Sequence, residues 1–207
     1  MSCIATGKFL PNRLGLYLLQ ALEESIGHDG RLALSQAADP EGRWPGLPPD
    51  NLDKSLDFCF YTAISEAMET IYGGRAARKI IFKASRGSFR RLLPGLAGLG
   101  GMDDPLFFFR SGDQRIDHSL SALGQLLQLL TDIEGSPVPA EQERVFAVSC
   151  CPECTGRNLQ ENICAGMAGM IRGTLDWLGA DEELVVMEKA CMANGAKRCE
   201  FHISQRA

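Results

Sequence analysis

The stretch Glu188-Lys-Ala-Cys191-Met-Ala-Asn-Gly-Ala-Lys-Arg-Cys199 carries the most information about the fold of this sequence. An Asn-Gly pair between two apolar segments is a hairpin signal. It therefore predicts two antiparallel strands, over residues 183–191 and 198–204. The turn would bring Cys191 close to Cys199 and leave Glu188 beside them on the first strand.

A predicted helix over residues 161–178 precedes the hairpin, and Cys164 near its start could pack across the two strands. Thiolates and carboxylates are zinc ligands, and four protein ligands close a tetrahedral structural site. The candidate metal ligands are Cys164, Glu188, Cys191 and Cys199. Spacing alone leaves two interpretations open, a metal site or buried cysteines beside a surface glutamate.

A second group of thiols, Cys150-Cys151-Pro-Glu-Cys154, lies just before that helix. The Cys-x2-Cys spacing of Cys151 and Cys154 is typical of metal chelation and of redox pairs. A complete zinc site needs two more ligands, which the spacing does not identify. The sequence therefore leaves three interpretations of this pair: incidental structural cysteines, a second metal site or a redox pair.

The rest of the chain is predicted to be mainly helical. Apolar residues recur at helical spacing in four segments, and residues 144–150 are predicted to form a further strand. The four helical segments are residues 14–26, 53–72, 75–93 and 116–133. We therefore expect an α/β (α+β) fold in which an antiparallel sheet is flanked by helices. We treat residues 1–207 as one domain, with a mainly helical part (1–140) and a metal-tied helix and hairpin (141–207).

Composition restricts the class of protein. The chain has 207 residues, a net charge of −5 and 45% hydrophobic residues, so a sizeable core is possible and nucleic acid is not an expected partner. No apolar stretch reaches the roughly 20 residues of a membrane span, and no secretory signal is visible. We therefore expect a soluble cytoplasmic protein. Six side chains are candidates for lining an apolar pocket: Phe107, Phe108, Phe109, Met167, Met170 and Trp177.

The ending from Cys164 to Ile203 resembles the 4-vinyl reductase domain family, in which a Cys with a glycine-containing helix is followed by Glu-x2-Cys, a glycine turn and Cys-x-Phe. The resemblance is specific over residues 145–204. It implies a fold shared with nitric-oxide sensing domains and a trafficking-complex subunit. It also implies a zinc ion bound by the four candidate ligands, and a homodimer.

By the same resemblance, we expect a sensor or carrier that binds a hydrophobic small molecule, either an aromatic hydrocarbon or a tetrapyrrole-like molecule. Family activators join such a domain to an ATPase and a DNA-binding domain. We recognise neither in this sequence, so a sensor would need a separate signalling partner. The alternative is a reductase or accessory factor in reduction of the (bacterio)chlorophyll 4-vinyl group. Catalysis is less favoured because the chain lacks a Gly-x-Gly-x-x-Gly fingerprint, and a four-ligand zinc has no open position.

Overall fold

The structure is a computed structural model that describes residues 4–101, 107, 109–140, 143–179 and 183–205. The helices in these residues are α1 (Asn12–Ala38), α2 (Phe58–Tyr72), α3 (Gly74–Leu92), α4 (Gly112–Leu130) and α5 (Ala165–Trp177). The strands are β1 (Phe9–Pro11), β2 (Lys54–Asp57), β3 (Gly135–Val138), β4 (Arg144–Val148), β5 (Leu184–Ala190) and β6 (Cys199–Gln205). Short 3-10 turns span Leu93–Gly95, Ala97–Gly100 and Met192–Asn194.

The strands form two antiparallel sheets. A small one pairs β1 with β2, and a larger one has the order β3-β4-β6-β5. In the larger sheet, Val148 lies opposite Cys199, and Glu188 lies opposite Phe201. A register shift between Glu188 and Ala190 distorts β5 just before it ends. The predicted fold class, an antiparallel sheet flanked by helices, is confirmed.

Three predicted segments differ from the structure in a way that has a physical cause. The helix predicted from residue 53 begins at Phe58, because Lys54–Asp57 pairs with β1 and the Asp57 side chain accepts the Cys59 N–H as an N-cap. Residues 135–138, whose greater part was predicted as loop, pair with β4. The first helix continues to Ala38 across a kink at Gly27, which has a φ of 79°.

Helix α5 lies against α3 with almost no space between their backbones. A β-carbon added at Gly169 would meet the Phe82 carbonyl oxygen at 2.4 Å, and one at Gly173 would meet the Arg86 carbonyl oxygen at 2.6 Å. Glycine is therefore required at both positions for the two helices to approach this closely. The helix pair, with α1 and α2, forms an apolar core that continues to the sheet.

No helix in the described part of the chain combines the length and the apolar character needed to cross a lipid bilayer.

Candidate metal centre

Four side chains converge where α5 meets the end of the β5–β6 hairpin. Cys164 is the residue before α5, Glu188 lies on β5, Cys191 directly follows β5, and Cys199 begins β6. The chain turns between the strands through the 3-10 turn and Gly195, whose φ of 82° is left-handed. The four predicted ligands are thus brought together, and we call them the sheet tetrad.

The spacing of the sheet tetrad suits a single ion. Its four ligand atoms lie within 4.8 Å of one another, and Cys164 Sγ is 3.7 Å from both Cys191 Sγ and Cys199 Sγ. In a tetrahedral site with a zinc–sulfur bond of about 2.3 Å, two sulfurs lie about 3.8 Å apart. The thiols are free, and a disulfide would need its sulfurs at about 2.05 Å. The sulfurs therefore have the spacing of co-ligands.

Glu188 supplies an acceptor that lacks a protein partner. Its Oε2 accepts the Cys164 backbone N–H at 2.9 Å, whereas its buried Oε1 has no hydrogen-bond partner among the described residues. Burial, reinforced by the nearby Cys191, raises the pKa of this carboxyl to about 9. A buried carboxylate oxygen without a donor is a costly arrangement that a cation would resolve. The side chains present therefore fit a divalent metal.

Neighbouring thiols make two of the sulfurs easy to ionise. Hydrogen bonds from Cys154 and Cys164 lower the pKa of Cys191 to about 6, and hydrogen bonds led by that from Cys151 lower the pKa of Cys199 to about 5. The Met192 N–H also donates to Cys199 Sγ at 3.4 Å. Thiolates are the form of cysteine that binds metals, so the cluster favours ligation.

Cys151 and Cys154 join the same cluster. Together with Cys164 and Cys199 they form a second group of four sulfurs within 4.8 Å of one another, which we call the turn tetrad. Cys154 Sγ lies 3.5 Å from Cys199 Sγ. The adjacent Cys150 is also buried and free, but it belongs to neither tetrad.

Glu153, to which the sequence analysis gave no role, anchors the turn between Cys151 and Cys154. Its buried carboxylate accepts the backbone N–H groups of Gly166 at 2.8 Å and Met167 at 2.9 Å, in the first turn of α5. Burial raises its pKa to about 8, against the opposing effect of these hydrogen bonds. An acidic residue shortly before a helix is a signal for such an anchor, because helix N-termini attract carboxylates.

The six candidate pocket residues are not gathered around a cavity. Phe107, Met167 and Met170 are buried in the core, whereas the Phe109 side chain is 86% exposed. Trp177 is partly buried, and Phe108 lies outside the described residues.

The clefts in the described surface lie elsewhere. One of about 430 Å³ opens between α4 and the edge of the larger sheet. Charged side chains, Asp113 and Arg115, contribute to its lining. This cleft is not the apolar pocket that the sequence suggested.

Comparison with known proteins identifies the family of the C-terminal part. Residues 145–205 match the model of the 4-vinyl reductase domain family. This confirms the predicted resemblance over that segment, which we call the vinyl-reductase region. All six ligands of the two tetrads lie in the vinyl-reductase region. No curated protein sequence matches the chain significantly.

Solved structures with similar folds span nearly the whole chain. An H-NOX protein from S. oneidensis in the Fe(II)NO ligation state matches with a TM-score of 0.56 and 11% identity, covering 92% of this chain and 98% of that chain. The phenol-responsive sensory domain of the transcription activator PoxR, with phenol, matches with a TM-score of 0.55 and 14% identity, covering 84% and 89%.

A trafficking protein particle complex subunit 3 from Naegleria fowleri, covalently bound to palmitic acid, matches with a TM-score of 0.52 and 14% identity, covering 70% of this chain and 89% of that chain. Identities this low establish a shared fold alone. The predicted likeness to nitric-oxide sensing domains and a trafficking-complex subunit is confirmed at that level.

Proposed function

We propose that this protein is a sensor-type domain that binds a hydrophobic small molecule and whose vinyl-reductase region is clamped by a structural zinc ion. The observation that carries the proposal is the sheet tetrad, with three sulfurs and an unpartnered carboxylate oxygen at the spacing of zinc ligands. Cys164, Glu188, Cys191 and Cys199 would hold the ion. Zinc with four protein ligands stabilises a fold and has no open position for a substrate.

The clamp would act at a joint between two layers. Cys164 belongs to the start of α5, while the other three ligands belong to the β5–β6 hairpin. Binding would therefore fix the helix to the sheet at one end, while glycine-mediated packing on α3 holds its other face. A ligand-binding fold benefits from such rigidity, because the remaining helices then move against a fixed platform.

The small-molecule part of the proposal is supported by the fold neighbours. One of them is solved with phenol and another with covalently bound palmitic acid. Both molecules bury apolar surface on binding, which is the main driving force for such ligands. We propose an aromatic or similarly apolar ligand for this chain, with a homodimer and a separate signalling partner completing the sensor.

The clamp is tested with Cys191→Ser, compared with Cys150→Ser as the matched control. Cys150 is a buried free thiol outside both tetrads. We expect Cys191→Ser to lower zinc content and melting temperature together, while Cys150→Ser retains its zinc. Full zinc occupancy in Cys191→Ser would contradict the proposed ligand set.

The ligand is tested by mass spectrometry of molecules that co-purify and by thermal shift with phenol and palmitic acid as probes. A ligand at 100 times its dissociation constant stabilises the folded state by about 2.7 kcal/mol, which is readily measured as a rise in melting temperature. A shift with phenol supports an aromatic ligand. The absence of any co-purified apolar molecule, together with no shift for either probe, would contradict a small-molecule sensor.

A further inference from the structure

We propose that the cysteine cluster holds two metal ions, which share Cys164 and Cys199 as bridging thiolates. This proposal rests on the zinc clamp proposed above and adds a second ion, bound by the turn tetrad. One ion would take Glu188 and Cys191 as its terminal ligands. The other would take Cys151 and Cys154.

The two tetrads have the geometry of tetrahedra that share an edge. The shared edge joins Cys164 Sγ to Cys199 Sγ and is 3.7 Å long. On one side, Cys191 Sγ lies 3.7 Å from Cys164 Sγ, and on the other, Cys154 Sγ lies 3.5 Å from Cys199 Sγ. These edges are close to the sulfur–sulfur spacing of about 3.8 Å in a tetrahedral zinc site. Each tetrad therefore offers a complete set of four ligands.

A second ion uses ligands that a single ion would leave behind. With one ion in the sheet tetrad, Cys151 and Cys154 would stay buried at 0% and 3% exposure beside two metal-bound sulfurs. Their burial also counts against a redox pair, because thiol–disulfide exchange requires an accessible sulfur. Two cysteines at Cys-x2-Cys spacing are, in contrast, a common half of a structural zinc site.

Charge favours the second ion as well. One divalent ion among three thiolates and one carboxylate leaves a net charge of −2 at the sheet tetrad. Two divalent ions among five thiolates and one carboxylate leave the same net charge for the whole cluster. The second ion binds as Cys151 and Cys154 release their two thiol protons to solvent, so the added charges cancel. Occupying both tetrads therefore adds four metal–sulfur bonds without adding net buried charge.

The turn that carries the extra ligands is fixed before any ion binds. Glu153 ties it to the first turn of α5, and Thr62 Oγ1 donates to the Pro152 carbonyl oxygen at 2.6 Å. Arg157, just after the turn, pairs with Glu69 on α2. These contacts hold Cys151 and Cys154 against the shared edge, so the ligand positions need little rearrangement to bind metal.

Metal content of the full chain tests this directly. The protein is expressed with added zinc, purified under reducing conditions and freed of loose metal by gel filtration, and zinc per chain is measured by mass spectrometry. We expect two zinc ions per chain in the wild type and in Cys150→Ser, and one in Cys154→Ser. X-ray absorption at the zinc edge is expected to show metal–metal scattering in the wild type and none in Cys154→Ser.

The outcomes separate this proposal from the clamp on which it rests. One zinc per chain in the wild type, without metal–metal scattering, overturns the shared cluster and leaves the single clamp standing. A zinc-free wild type overturns both. Brown protein with iron and acid-labile sulfide also overturns the two-zinc cluster. If Cys154→Ser does not fold, the wild-type stoichiometry and scattering decide alone.

Discussion

The two contacts that position α5 differ in how they are held together. Along its length, α5 touches α3 through glycines, and the contact is complete with the protein's own atoms. At its first turn, α5 meets the sheet through a cluster of thiols and a carboxylate that leaves an acceptor without a partner among the described residues. One contact is therefore packing alone, whereas the other depends on a metal ion. The difference predicts which perturbations change metal content and which change only stability.

Removing the metal is expected to have the largest effect. Structural zinc supplies on the order of 10 kcal/mol of folding free energy in small zinc peptides, comparable with the whole stability of a typical domain. We expect a strong chelator under reducing conditions to unfold the vinyl-reductase region, seen as loss of circular dichroism signal at ambient temperature. Zinc added back should restore the signal. A metal-free protein that keeps its melting temperature would show that packing alone positions α5.

Asp176→Ala is expected to weaken the packing contact by about 4 kcal/mol, because it removes one partner of a buried ion pair. The Asp176 and Arg172 side chains are 7% and 5% exposed and lie 2.8 Å apart, and Asp176 also pairs with Arg86 of α3. Chemical denaturation measures the loss. The exposed Asp113, paired with Arg144, is the control, and its change to alanine should shift stability by less than about 1 kcal/mol.

Gly169→Ala tests the helix contact without touching charge. The added methyl group would collide with the Phe82 carbonyl oxygen, and overpacking of this kind costs about 1–3 kcal/mol. Gly87, an exposed glycine of α3 with open space around it, provides the matched control, since its change to alanine should stabilise by about 0.5 kcal/mol. The folded fraction of Gly169→Ala should keep its zinc. Loss of zinc in that variant would mean that the two contacts are not separable.

Asp57→Ala is expected to have the smallest effect, about 1.5 kcal/mol, through loss of the α2 N-cap. The Asp57 carboxylate accepts the Cys59 N–H and also the N–H groups of Thr6 and Gly7. The cap lies outside the vinyl-reductase region, so zinc content should not change. A drop in zinc content on this substitution would argue that the helical part and the metal centre unfold as one unit.

The sheet tetrad could be predicted because its information is local. Three of its ligands lie on one hairpin within twelve residues, and the Asn-Gly turn fixes which side chains meet. The glycines of α5 are equally visible in the sequence, but their partner helix could not be predicted from it. The α3 backbone atoms that they approach are distant along the chain, so no local pattern identifies them.

The role of Cys151 and Cys154 could not be assigned from spacing. Their partner ligands are Cys164 and Cys199, the second of which lies 45 residues beyond Cys154 and already belongs to another predicted site. Sequence reasoning gives each ligand to one site and so misses a shared one. The short strands β1, β2 and β3 were missed for a related reason, since strands of three or four residues exist only through partners elsewhere in the chain.

The most direct test of the metal clamp is a crystal structure of the full chain with anomalous data collected at the zinc absorption edge. The account predicts an anomalous peak bonded to Cys164, Glu188, Cys191 and Cys199, between the start of α5 and the hairpin. Well-ordered thiols at these positions with no anomalous peak among them would contradict it.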